Sequence, residues 1–346
     1  MKKIIITLFL VFIIIAGCTR DELIPPVPPV VQTITGGYIL SEGGFSAGTS
    51  KLSYYDIVKD TFYLNIFYPG NIGLFSSGMI YYNKNLFITE QGNYGSPGKI
   101  YRLDSSGNVL SNSVIGTNPY SLAVSNNKIY VTNGPAGYVG VYDVNSFSLS
   151  KTINVGVYPQ EIISNNNKIF VCNTSLFGGN QDSTVTVIDP FGDSVINTLR
   201  LKKDPSGITS LDNNNILVGC NGIPGKIFKI NTTTLIATDT FTVNDGFDRD
   251  IAVDESSSNI YFISLNNNIV KINLNTKTET IFVQNLNPTL AHFYGYNYDS
   301  KNKKHYIADA RNFSSPGYLL IVNSDGTLSK TFSSGVAPRR IVFKGN

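Results

Sequence analysis

The sequence predicts an all-β chain folded as a seven-bladed β-propeller of four-stranded antiparallel blades. Three observations predict it. Four short apolar runs recur along the chain, and the third run of each unit ends in Asp or Asn: Asp56, Asp104, Asp143, Asp189, Asn231, Asn273 and Asn323. These marks lie 39 to 50 residues apart, close to the roughly 40–45 residues of a propeller blade. The runs are apolar on both faces, as in Ile129-Tyr130-Val131 and Ile260-Tyr261-Phe262-Ile263, which suits sheets packed against each other rather than sheets with one wet face. Finally, the first unit lacks its first strand, and one spare strand, residues 338–343, follows the last complete unit. Three strands plus one complete a blade and close the ring, which limits open strand edges.

The elements follow in order. Lys2 and Lys3 precede an apolar run over residues 4–15. That is too short for a membrane span of about 20 residues and suits a secretory signal. The run ends Ile15-Ala16-Gly17-Cys18, which resembles a bacterial lipobox. Residues 1–17 are therefore read as a lipoprotein signal peptide and Cys18 as the lipidated residue, attaching the chain to a membrane. The plainer reading is an ordinary signal peptide that happens to contain a cysteine. Thr19-Arg20-Asp21-Glu22 resembles the export signal of surface lipoproteins in some Gram-negative lineages, which implies the outer membrane and the cell surface. Residues 24–31 (IPPVPPVV) hold four prolines and read as a stiff stalk. Residues 18–36 are thus a lipidated N-terminus and linker, and residues 37–346 the propeller.

Labelling the strands of a blade a to d, the first blade begins at strand b, residues 37–41, with c at 51–56 and d at 61–66. The third unit is the clearest: Pro119 opens strand a, Lys128-Ile-Tyr-Val-Thr-Asn133 is strand b, and Tyr138-Val-Gly-Val-Tyr-Asp143 is strand c. The fourth repeats it from Pro159, through residues 168–173 and 184–189, to a d strand at 195–201. Asn-rich stretches such as Asn126-Asn127 and Asn165-Asn166-Asn167 suit tight a–b turns, because Asn tolerates the positive φ they need.

Charged residues make up only 15% of the chain and the formal charge is +3. Without residues 1–17, and so without Lys2 and Lys3, it is +1. No basic tract remains, so nucleic-acid binding is not expected, and the propeller is read as a monomer. Cys172 and Cys220 each precede the Asn that ends strand b, in adjacent blades. Equivalent positions would face the same way around the ring, and neighbouring sheets pack about 10 Å apart, beyond disulfide reach. Both are read as small buried hydrophobes.

Ile129-Tyr-Val-Thr-Asn133 with Val139-Gly-Val-Tyr-Asp143, and Phe170-Val-Cys-Asn173 with Val185-Thr-Val-Ile-Asp189, closely resemble the YVTN-type propeller repeat over residues 37–343. The opening Gly37-Tyr-Ile-Leu-Ser-Glu-Gly-Gly-Phe45, followed by Leu52-Ser-Tyr-Tyr-Asp56, resembles a subgroup of YncE-like surface lipoproteins. Some members of that subgroup capture cobalamin for a TonB-dependent outer-membrane transporter, and many have no known ligand. The resemblance implies a surface binding protein for a small, corrinoid-like ligand, with such a transporter as partner. Fold alone does not fix function. The alternative is a protein-interaction or scaffold propeller without a small ligand.

In a propeller the d–a and b–c connections share one face. The b–c loops here are long, at residues 42–49, 90–97, 134–137, 174–182 and 309–316, and long loops on a rigid face are where binding sites form. Aligning the start of strand a gives one position per blade at the channel mouth: Ser77, Tyr120, Gln160, Ser206, Arg249, Tyr294 and Arg339. Its aromatic and guanidinium groups suit stacking on a planar ligand and hydrogen bonding to acidic or amide groups. The plainer reading is a ring of wet residues at a channel mouth. Phe45, Tyr94, Phe177 and Phe313 in the b–c loops extend that surface or pack loop on loop.

Glu42, Glu90, Asn133, Asn173, Asn221 and Asp309 end the b strands. They suit either a ring of oxygen ligands for a metal or, as the favoured reading, side chains that bond the loop backbone. There is no His-Glu-x-x-His, no nucleophile elbow and no phosphate-binding Gly loop. The two histidines, His292 and His305, fall near opposite faces, poorly placed to act together. The chain is therefore read as a non-enzyme with no cofactor and no bound metal. A metal-dependent hydrolase or lyase is the weakest of the three readings.

Overall fold

The computed structural model describes residues 33–345 apart from 69, 71, 176–178 and 255. Residues 1–32, with the segment read as a signal peptide, Cys18 and most of the segment read as a linker, lie outside the described residues, as does Phe177.

The described residues form seven four-stranded antiparallel sheets. In six of them the strands run outward in chain order. The first blade departs from this: its order is Pro338–Gly345, Ile34–Ser41, Lys51–Asp56, Thr61–Tyr63. Ile39 pairs with Ile341 and Tyr38 with Val342, so the strand predicted to close the ring does so. Strand b of this blade starts at Ile34, three residues before the predicted boundary at 37.

The burial gradient follows from the packing. Strand b of blade 3, Lys128–Asn133, is buried from Ile129 onward, because neighbouring blades cover both faces. The outer strand of blade 4, Ser194–Arg200, is exposed at almost every residue.

The Asp and Asn marks have a physical cause. Each sits where strand c enters the c–d turn, and its side-chain oxygen accepts backbone N–H groups two to four residues on. Asp143 Oδ1 accepts from Asn145 (3.0 Å) and Ser146 (2.8 Å). Asp104, Asp189, Asn231 and Asn273 do the same. Asp and Asn combine a short side chain with a strong acceptor at that reach, which Ser and Thr supply only more weakly. Asn323 departs from the pattern: in the last blade Asp325 Oδ1 accepts from Thr327 N instead, at 2.9 Å.

The YVTN-like residues stitch each blade to the next. Tyr130 donates to Asp193 Oδ1 at 2.5 Å and to the Pro190 carbonyl at 3.2 Å, both in blade 4. Thr132 donates to the Gln160 carbonyl at 2.7 Å on the inner strand of blade 4. In the second copy Phe170 and Cys172 replace the Tyr and Thr, so packing carries that interface instead: both join Val185 and Val187 against Ile216 and Val218 of blade 5.

The cysteine geometry corrects one expectation. Both thiols are free and buried, but the two positions are not equivalent. Lys168 and Asn215 begin their b strands at the same register, each paired near the end of strand c, so Cys172 is the fifth residue of its strand and Cys220 the sixth. Side chains alternate along a strand. Cys220 therefore shares the face of Ile216 and Val218, which pack against Cys172. The two cysteines look into the same layer between blades 4 and 5, not in the same direction around the ring.

Between blades 5 and 6, Phe247 is fully buried. Its ring lies on the backbone of Gly207 and Gly219, and its own backbone covers Gly225; a Cβ at any of the three would overlap it. These glycines are needed for that close approach.

His305 is buried between blades 6 and 7, with its ring 4.5 Å from both Tyr298 and Phe282 and its Nδ1 2.7 Å from the Tyr296 hydroxyl. Burial lowers its pKa from 6.5 to about 4. Between these values the unfolded chain binds the proton and the folded chain does not. Stability is therefore full above pH 6.5 and falls as the pH drops towards 4, by up to about 3 kcal/mol. Urea midpoints measured at neutral and acid pH should show this slope in the wild type and its loss in His305→Gln; parallel curves would refute the assignment.

Candidate functional site

The inner strands of all seven blades line a central channel. Each begins with a bulge that places one extra residue on the inner strand relative to strand b. In blade 4, for example, Pro159 pairs with Asn173 but Ile162 pairs with Val171. In an unbroken strand adjacent side chains point to opposite faces. A bulge breaks that alternation, and here two successive side chains serve the channel in four blades: Arg339 and Arg340, Tyr120 and Ser121, Gln160 and Glu161, Arg249 and Asp250. In five blades the residue just before the inner strand adopts positive φ: Phe75, Asn118, Tyr158, Asp204 and Ala337. These turns aim the strand starts at the mouth.

Six of the seven residues predicted for the mouth, Tyr120, Gln160, Ser206, Arg249, Tyr294 and Arg339, line one cavity of about 700 Å³. It opens on the face of the b–c and d–a connections, with Thr174, Gln181 and Asp204 in its wall. Ser77 does not line it. Ser77 is fully buried, donating to the Tyr120 carbonyl (3.2 Å) and accepting from Gln91 Nε2 (3.1 Å).

The sequence reading missed the second ring. One residue further along three inner strands stand Glu161, Asp250 and Arg340, and these join Arg339 in an ion-pair cluster across the channel. Arg339 Nη1 donates to Asp250 Oδ2 at 2.6 Å, and its Nη2 lies 3.5 Å from Glu161 Oε1. Arg340 Nη2 donates to Glu161 Oε1 at 2.6 Å, and its Nε to the Ser77 carbonyl at 2.8 Å. Arg339 is only 2% exposed. Burial alone would depress both guanidinium pKa values. Burial is the largest single influence, but Asp250, Tyr120, Glu161 and Tyr294 together outweigh it at Arg339, and Glu161, Tyr120 and Asp250 together at Arg340, so both stay above the ordinary arginine range. Beneath the cluster lies a second cavity of about 230 Å³, lined by residues such as Met79, Leu122, Ile162, Ile208 and Ile341, which shares Glu161 and Arg339 with the first. The cluster thus lies between a polar funnel and a smaller lower cavity of mixed lining, where Ser121, Thr209 and Asn297 join the aliphatic side chains. The signal available in the sequence was the charge of Glu161, Asp250 and Arg340 itself; strict alternation hid it.

Arg249 donates to Asp248 Oδ2 at 2.8 Å and lies 4.8 Å from the centre of the Tyr294 ring, with the Arg339 guanidinium 5.5 Å from the same centre. Tyr294 donates to Glu42 Oε2 at 2.9 Å. Burial raises the pKa of Glu42, against the pull of Arg339 and the Tyr294 hydrogen bond. Burial and Arg249 together lower that of His292, whose ring packs 4.9 Å from Phe313. The aromatic rings at the mouth are thus engaged with the protein's own cations and with one another.

The b-strand ends do not converge. Glu90 accepts from Tyr101 at 2.9 Å, Asn173 donates to Thr184 and Thr186, Asn221 donates to Asp248, and Asp309 accepts from the His292 and Arg311 backbone. Asn133 folds back to the Val131 carbonyl. Among the described residues no three His, Cys, Asp or Glu side chains form a metal-ligand group. On the loops, Phe45 is 94% and Tyr94 73% exposed.

Solved structures similar to this chain share its fold. One is a quinoprotein alcohol dehydrogenase-like protein from Bacteroides thetaiotaomicron, 16% identical with a TM-score of 0.67, covering 88% of this chain and 78% of that one. Another, from Bacteroides fragilis and described as a candidate 6-phosphogluconolactonase, is 12% identical with a TM-score of 0.66, covering 90% and 98%. Kuenenia stuttgartiensis hydrazine synthase is 16% identical with a TM-score of 0.62, covering 75% and 86%. No curated protein matches the chain. Residues 35–330, nearly the whole ring, match the family described as "Domain of unknown function (DUF5074)", and the chain belongs to that family.

Proposed function

We propose that this chain is a non-enzymatic binding propeller, anchored by lipid at Cys18 to the outer membrane and displayed at the cell surface. It captures a small ligand in the funnel for an outer-membrane transporter. The funnel carries this reading: a cavity of about 700 Å³ with an ion-paired floor and a wall where amide, hydroxyl and aromatic groups stand among paired charges. A concave site of that size with a few convergent polar groups suits a small ligand. The lipobox and the acidic patch after Cys18 support the address. The YncE-like opening makes a corrinoid the first ligand to try.

Calorimetry with cobalamin tests the proposal. Saturable one-to-one heat is expected, weakened about tenfold or more by Gln160→Ala with Ser206→Ala. These wall residues lie outside the ion-pair floor. No heat with the wild type, or unchanged affinity in the variant, overturns the corrinoid reading.

The exposure of Phe45 and Tyr94 on adjacent b–c loops favours, as second reading, a protein-docking propeller. Capture of one defined membrane protein by the lipidated chain, lost on Phe45→Ser with Tyr94→Ser, supports it.

A further inference from the structure

We infer that the funnel takes an uncharged ligand, one that presents hydroxyl or carboxamide groups to the wall and carries no formal charge there. The inference rests on the funnel being the binding site. Six charged side chains line it: Lys203, Arg249 and Arg339 against Glu161, Asp204 and Asp248. The formal charges cancel, and every one has a partner. Arg249 is held by Asp248 at 2.8 Å. Arg339 is held by Asp250 at 2.6 Å, and Glu161 by Arg340 at 2.6 Å. Asp204 accepts the Ser175 N–H at 2.7 Å and lies 3.7 Å from Lys203. Lys203 is half-exposed and only loosely paired; at each of the other charges a charged ligand group must either displace a partner or stay unpaired. Removing one member of a desolvated pair costs more than a new contact returns.

Besides Lys203 and the buried Arg339 Nε, which has no hydrogen-bond partner, the groups that remain open are neutral. Among the described residues the Gln160 and Gln181 amides and the Tyr120 hydroxyl have no hydrogen-bond partner within the protein, and Asn221 spends only its Nδ2, on Asp248. A carboxamide offers both donors and acceptors, and a phenol offers one donor and an acceptor. Such a set is satisfied by ligand groups that also donate and accept, which hydroxyls and carboxamides do. Carboxylates and phosphates only accept, and ammonium groups only donate.

Saturation-transfer NMR at mildly acidic pH with three matched trimers tests this: N,N′,N″-triacetylchitotriose, which is uncharged and bears hydroxyls and acetamides; its fully deacetylated cationic counterpart; and anionic trigalacturonate. Transfer is expected to the acetylated trimer, with an affinity that changes less than about twofold between about 0.05 and 0.5 M salt, because no charge pairing is screened. Gln160→Ala with Gln181→Ala should weaken it about tenfold or more, and the charged trimers should bind about tenfold more weakly or worse. A charged trimer that binds as well as the acetylated one, or transfer to none of the three, overturns the inference. If cobalamin binds while its affinity falls steeply with salt, the uncharged-ligand inference fails and the binding function stands. If neither cobalamin nor any trimer binds, both fail.

Discussion

Glu161→Ala is expected to lower the stability of the propeller by about 3–5 kcal/mol, the usual cost of removing one member of a buried ion pair. The carboxylate accepts from Arg340 at 2.6 Å and faces Arg339, whose side chain is 2% exposed. Without Glu161, Arg340 keeps only the Ser77 carbonyl at 2.8 Å and Asp250 at 3.8 Å. The guanidinium cannot shed its proton to escape, so the loss falls on the folded state. Chemical denaturation followed by tyrosine fluorescence measures it, since the chain has no Trp. The double variant Glu161→Met with Arg340→Met removes both charges and should lose less than the single one. A silent single variant, or a double variant worse than it, would mean that the cluster is not held out of water.

Phe247→Ala should cost about 3–5 kcal/mol, as for other large buried aromatics. The ring fills the space that the missing side chains of Gly207 and Gly219 leave between blades 5 and 6. Gly219→Ala should also destabilise, by about 1–3 kcal/mol, because the new methyl overlaps the Phe247 ring. The two sites are coupled through contact, so Gly219→Ala with Phe247→Leu should lose less than the sum of its parts. Additive losses in thermal melts of the four proteins would contradict this nesting.

Most of the fold could be read from the chain because its period is written in residues with a local job. Asp143 marks its blade because its carboxylate caps the next turn, and the same holds for Asp104, Asp189, Asn231 and Asn273. Closure was legible because strands are counted, and one was left over. The site was half legible. Arg339 was placed at the mouth, but Arg340, Glu161 and Asp250 were not singled out: simple alternation turns them away from it, and the bulge at every inner strand breaks that alternation. A bulge depends on how two strands pair, and no residue type announces it. The cysteine register failed for a related reason: strand b of blade 5 ends at Cys220 while that of blade 4 ends at Asn173, a one-residue offset that the shared Cys-Asn pair conceals.

The floor of the funnel comes from the strand that joins the ring last. Arg339 and Arg340 lie on Pro338–Gly345, which follows every other strand of the ring in the chain. During synthesis, blades 2 to 7 emerge before either arginine exists. Until then Glu161 and Asp250 face one another's side of the channel without their cations. A nascent or truncated ring therefore carries uncompensated negative charge at its hub as well as an open first blade. Completion of the circle and neutralisation of its hub are the same event, so only a finished molecule presents a funnel with a floor.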